Sequence, residues 1–163
     1  MSMIRAVARL FAVVCCVAAP VLGQNLNPDA SRIEIAAAEF LRDSVGGNDV
    51  KFDSRLLGKG RPTAERPSSR VEAIARALNG RAAHEEEVLT CRNARPDSCS
   101  VGATSFFHLS EPVVSGQSAT VLVRHLYNVP TARTPTGRSE FELTLKLSRS
   151  GWHVVSSELK STS

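Results

Sequence analysis

Hydrophobic and polar residues alternate most regularly near the C-terminal end. In SEFELTLKLS, Phe141, Leu143, Leu145 and Leu147 fall on one side, and Glu140, Glu142, Thr144 and Lys146 on the other. A period of two predicts a strand packed on one face and wet on the other. RSGWHVVSSEL then returns through a tight turn at Ser150-Gly151, which predicts a hairpin. Upstream, ATSFFHLSEP and SATVLVRHLY read as two further strands joined by a turn at Ser115-Gly116.

The earlier chain follows a different period. In SRIEIAAAEFLRDSVGG, Ser31 and Glu34 have capping-box spacing. Ile33, Ala37, Phe40 and Ser44 or Leu41 line one face, and Gly46 is a C-terminal stop. DVKFDSRLL reads as a strand on Val50, Phe52 and Leu56, and GKGRPTAERPSS as a loop. A second helix is expected from the Ser69–Glu72 spacing, the stripe Val71, Ile74, Ala75, Leu78, and Gly80 at its end. The acidic run Glu85–Glu87 leads into a short strand around Val88 to Cys91. Helices early and strands late predict an α+β domain, with two or more N-terminal helices packed on a curved antiparallel sheet.

The first residues change the compartment. Arg5 and Arg9 precede an apolar run from Leu10 to Val21, with small Val21 and Gly23 before Gln24. This is the pattern of a cleavable secretory signal, and the run is shorter than the roughly 20 residues that cross a bilayer. The expectation is a signal over 1–23 cut after Gly23, a flexible lead-in over 24–30, one domain over 31–160 and a tail over 161–163. The product would be secreted or periplasmic, with no integral membrane span. Val13 and Val14 before Cys15 and Cys16 argue against a lipidated cysteine. Cleavage would remove Arg5 and Arg9, lowering the net charge from +4 to +2, which is no nucleic-acid footprint.

Cleavage would also leave Cys91 and Cys99 as the mature chain's cysteines. Seven residues separate them, where a redox CxxC has two, and no further metal ligands flank them. In an oxidising compartment they most economically pair with each other, clamping a hairpin whose loop holds Arg92, Asn93, Pro96 and Asp97.

Chemical motifs are scarce. His84, His108, His125 and His153 are dispersed, HEEEV lacks the second histidine of HExxH, and no metal or cofactor is expected. There is no GxSxG elbow, and GKG at Gly58–Gly60 lacks phosphate-loop spacing. The arginines of 55–70 and 133–138 carry no interleaved aromatics and read as solvated loops. Arg124 and His125 point to opposite faces of one strand, so one of them is a polar group for the covered face.

The helix, VKFDSRLLGKG, a further helix, SGQSATVLVRHLY and the closing FELTLKLSRSGWHVVSSEL together resemble the nuclear transport factor 2-like superfamily, the cystatin-like rolls that include ketosteroid isomerases and polyketide cyclases. The resemblance spans most of residues 31–160 and rests on element order and texture. It implies a cone-shaped roll with an apolar pocket between sheet and helices, for which Phe40, Phe52, Arg124 and Tyr127 are candidate lining residues. It also implies a sheet face suited to a second copy in a homodimer. Asp53, in KFDSR, loosely matches the acid position of such enzymes, and His125 is a second candidate base. Asp53 also reads as a turn carboxylate bound to local backbone, and Tyr127 as rim packing. The expected function is an exported, non-catalytic domain that binds a small apolar ligand or a partner protein. The alternative is a pocket enzyme of the isomerase or cyclase type.

Overall fold

Helix α1 (Pro28–Val45) buries Ile33, Ala37, Ala38 and Leu41, which the helical period stacks on one stripe. It ends where Gly46 enters the left-handed region at φ +58 and returns its N–H to the Arg42 carbonyl. Its start differs from the capping-box expectation. Ser31 lies inside the helix, and Glu34 is fully buried against Arg66 and Arg70. The chain is described from a computed structural model, which covers residues 28–46, 49–59, 61–92, 98–102, 104–129 and 136–163. The expected signal segment and its cut after Gly23 lie outside the described residues, as do Asn93, Pro96, Asp97 and Arg133.

Helix α2 (Ser68–Leu78) also begins without the expected box. Pro67 is its N-cap, with no side-chain capping bond, and Ser69 is already helical. The proline supplies a helix-compatible φ at the entry instead. At the other end Asn79 takes the left-handed conformation, and a Cβ on Gly80 would run into the Val50 carbonyl. That glycine lets the helix end directly against the sheet.

The strands are β1 (Val50–Asp53), β2 (Arg55–Leu57), β3 (Pro62–Glu65), β4 (Arg81–Ala83), β5 (Thr90–Cys91), β6 (Cys99–Ser100), β7 (Ser105–Leu109), β8 (Val113–Ser115), β9 (Ser118–Asn128), β10 (Thr136–Ser148) and β11 (Gly151–Thr162). A short helix α3 (Glu85–Val88) stands where a strand entry was expected, and β3 pairs with β2 inside the expected loop. The main sheet runs β11-β10-β9-β7-β1-β4, with β8 also on β9.

This is an α+β fold, but the sheet is mixed. Strand β1 is parallel to both β4 and β7, because the crossover through α2 returns the chain in the same direction. The expectation of an antiparallel sheet holds only from β7 to β11. Only α1 precedes the first strand, and α2 follows β3.

Register divides the central strands into two faces. Val50, Phe52, Phe107, Val121, Val123, Leu143 and Leu145 join the stripes of α1 and α2 in the main core. The opposite face is not wet throughout. Phe106 and Leu126 form a smaller core with Val101, against which Val88 and Leu89 pack. The Cys91–Cys99 disulfide joins directly paired residues of the β5–β6 ladder. The Cys99 carbonyl accepts a hydrogen bond from Thr136 Oγ1 at 2.6 Å, which ties the clamp to the start of β10.

Candidate functional site

A cavity of about 300 Å³ opens between the C-terminal half of α1 and the sheet, walled by Phe40, Leu41, Ser44, Val45, Phe107, His125, Phe141, Ser157 and Leu159. The helical period places Phe40, Leu41, Ser44 and Val45 along one side of α1. Strand pairing supplies the floor. Phe107 lies opposite His125, and Phe141 opposite both Val123 and Leu159. No wall residue is ordinarily ionised at neutral pH except through its one histidine.

His125 stacks on Phe107 with ring centroids 4.5 Å apart and planes at 22°, and Tyr127 tilts against it at 5.1 Å. Burial pushes the imidazole down from 6.5 to about 4, because a charged ring would lose its water with no carboxylate to replace it. At neutral pH the ring is therefore uncharged, and its buried Nε2 has no hydrogen-bond partner among the described residues. Tyr127 is held over Gly137, whose hypothetical Cβ would stand 2.5–2.6 Å from two Tyr127 ring carbons. Glycine there makes room for the ring that backs His125.

The opposite face of the same strands is ionic. Asp53 and His108 are both fully buried. His108 Nδ1 lies 3.6 Å from Asp53 Oδ2, and its Nε2 lies 2.9 Å from Glu85 Oε2. That second contact is a close polar approach without hydrogen-bond alignment. Asp53 accepts from the Arg55 backbone N–H at 2.9 Å, Arg55 Nε at 2.9 Å and Nη2 at 2.8 Å, and the Glu85 N–H at 3.3 Å. Burial pushes the Asp53 carboxyl up, but these Arg55 hydrogen bonds outweigh it and hold the group below its ordinary value. Glu85 is likewise held down, first by its contact with His108. Arg124 joins this face through Glu140, Nε to Oε1 at 2.8 Å.

A second buried ionic group closes the sheet end. Glu34 accepts from Arg66 Nε at 2.9 Å and Arg70 Nε at 2.8 Å. Arg66 also donates to the carbonyls of Asp53, Arg55 and Leu109 at 3.0, 2.7 and 2.6 Å. Of the 55–70 arginines, Arg61 is exposed as expected of a solvated loop, but Arg66 and Arg70 are buried and Arg55 is bound to Asp53 and Glu86.

Among the sequence-derived candidates, Phe40 and His125 meet in the cavity wall. Tyr127 backs His125 outside that wall, and Phe52 is fully buried in the main core. Asp53 and Arg124 belong to the opposite face. Sequence reasoning missed Phe107, Phe141 and Leu159 as pocket walls and His108 as the partner of Asp53. The adjacent Phe106-Phe107 pair was the available signal, since consecutive large apolar residues in a strand require both faces to be covered.

No group of three or more His, Cys, Asp or Glu among the described residues is arranged to hold a metal ion. No described helix is long and apolar enough to cross a membrane. Comparison with known proteins finds no matching family model, no matching curated protein and no matching solved structure.

Proposed function

We propose that this chain is an exported binding domain whose helix-covered cavity takes a small apolar molecule. The observation that carries this reading is the cavity of about 300 Å³ walled by three phenylalanines and three aliphatic residues. A concave apolar site with few polar groups is the usual form of a small-molecule site. Export follows from the signal-like residues 1–23 and agrees with the disulfide. The nuclear transport factor 2-like resemblance, with its roll and inner pocket, fits the same reading.

An enzyme of the isomerase or cyclase type is the second reading, and the close approach of Asp53 to His108 speaks for it. Two facts weigh against it. Asp53 and the pocket histidine, His125, occupy opposite faces, and Arg55 holds Asp53 ionised and engaged, which makes it a weak base.

The test is native mass spectrometry of non-reduced protein from the exported fraction, with a Ser44→Trp variant that blocks the cavity mouth. A retained small molecule on the wild type that is lost in the variant is expected. Retention unchanged by the variant, or a wild type that neither retains nor takes up any apolar compound, contradicts the reading.

A further inference from the structure

We propose that α3 (Glu85–Val88) is a pH-gated flap, shut while the buried His108 imidazole holds its second proton and released when the ring loses it. The proposal concerns the ionic face and does not rest on the apolar cavity.

The ring stands between two carboxylates. His108 is fully buried, with Nδ1 3.6 Å from Asp53 Oδ2 and Nε2 2.9 Å from Glu85 Oε2. A neutral imidazole has one N–H and one lone pair, so it can donate toward one carboxylate and must turn the lone pair toward the other. The imidazolium has an N–H on each side and a charge to set against both. Burial sharpens the difference, because little water is present to offset it. Asp53 and Glu85 are both held below their ordinary values. Near neutral pH the carboxylates therefore keep their charge, and an imidazole is what can change the balance.

The neighbouring charges decide which side moves. Asp53 is fixed independently of the ring, through the backbone N–H and guanidinium of Arg55. Arg55 also holds Glu86, and His84 Nδ1 lies 3.8 Å from Asp53 Oδ1. On β9, Arg124 is opposite His108 and is bound to Glu140 of β10, which Arg138 also binds. The Arg124 charge favours ionised Glu85 but opposes the imidazolium, and its effect on Glu85 is smaller than that of His108. The Glu85 carboxylate is thus held first by the ring. Its side chain is already 29% exposed, so it can turn to water once the ring is neutral.

The released segment is short and tied at both ends. It runs from the end of β4 at Ala83 to Cys91, which the disulfide pins to Cys99. On its underside Val88 and Leu89 pack against Val101, Phe106 and Leu126, so opening is local and uncovers this small core. The sign follows from the charge. Attraction is present below the His108 midpoint and lost above it, which makes the flap closed in acid and open in base.

The test is amide hydrogen exchange on the whole protein by nuclear magnetic resonance, with the histidine ring nitrogens followed in the same samples. The reporters are Glu85, Glu87 and Leu89, whose N–H groups bond to Asp53 Oδ2 and to the His84 and Glu85 carbonyls. After correction for intrinsic base catalysis, opening should rise by about tenfold or more through the midpoint of the His108 ring. Glu85→Gln, at a partly exposed position, should flatten that step, as should His108→Gln. His84→Asn should leave it in place. Should His108→Gln fail to fold, Glu85→Gln and the wild-type ring signals decide. Opening that stays flat across the His108 midpoint, a step that survives Glu85→Gln, or one that His84→Asn abolishes overturns the flap.

Discussion

Two histidines on neighbouring strands occupy opposite faces of one sheet, and their surroundings share little. His125 stands among Phe107, Tyr127 and apolar walls with no carboxylate at its ring. His108, fully buried, has Asp53 near one ring nitrogen and Glu85 near the other. Phe107 and His108 are adjacent in sequence, so a single step along β7 crosses from the apolar face to the ionic one. The difference separates two tasks. A saturated network such as Asp53–Arg55–Glu86 fixes structure, because each partner is already engaged. His125 instead stands uncharged in the wall of a cavity, where a small molecule can lie against its ring.

Each side can be broken separately, and the largest effect belongs to the ionic framework. Glu34→Ala leaves Arg66 and Arg70 buried without their shared carboxylate. A loss of about 3–5 kcal/mol in urea unfolding is expected, and a loss under 1 kcal/mol would show that the two arginines reach water on their own. Next comes the clamp. Replacing Cys91 and Cys99 with serine should lower stability by about 2–3 kcal/mol, by the loop-entropy estimate, while small-molecule retention stays unchanged because the clamp covers the other face.

Acid separates the faces by window. The unfolded His125 takes its proton near 6.5 and the folded one near 4, so stability falls as pH drops from about 6.5 and levels off near 4. Asp53 and Glu85 have folded values below their ordinary 3.8 and 4.5. Their contribution is therefore present above those values and is lost only at lower pH. Thermal midpoints from pH 8 to 3 should show two successive declines, and His125→Phe should remove only the first. The smallest effect is expected from Leu159→Ser. Leu159 is 62% exposed at the cavity mouth, so stability should change by less than about 0.5 kcal/mol while small-molecule retention weakens measurably.

Much of the frame was legible in the chain. The alternation of Phe141 to Leu147, the turns at Gly46, Gly116 and Gly151, and the pairing of Cys91 with Cys99 rest on local chemistry that a sequence displays directly. What failed was non-local. Ser31–Glu34 has the spacing of a cap, yet the same i,i+3 step places Glu34 on the buried stripe, and its partners lie 32 and 36 residues away. The parallel pairing of β1 leaves no local signature either, because its partners arrive through long crossovers. For the site, Phe40 and His125 were readable as candidates, but their meeting was not. It depends on the β7–β9 register and on where α1 crosses the sheet. Asp53 was readable as a carboxylate near a first strand, whereas its opposition to His125 required knowing which face each residue takes.

The most direct test is a pH titration of the histidine ring nitrogens by nuclear magnetic resonance on the folded, ligand-free protein. A His125 midpoint near 4 is expected, as the mark of a neutral ring in an apolar wall. A midpoint at or above 6.5 would mean a wet or charge-paired cavity, and would contradict the separation of an apolar binding face from an ionic structural one.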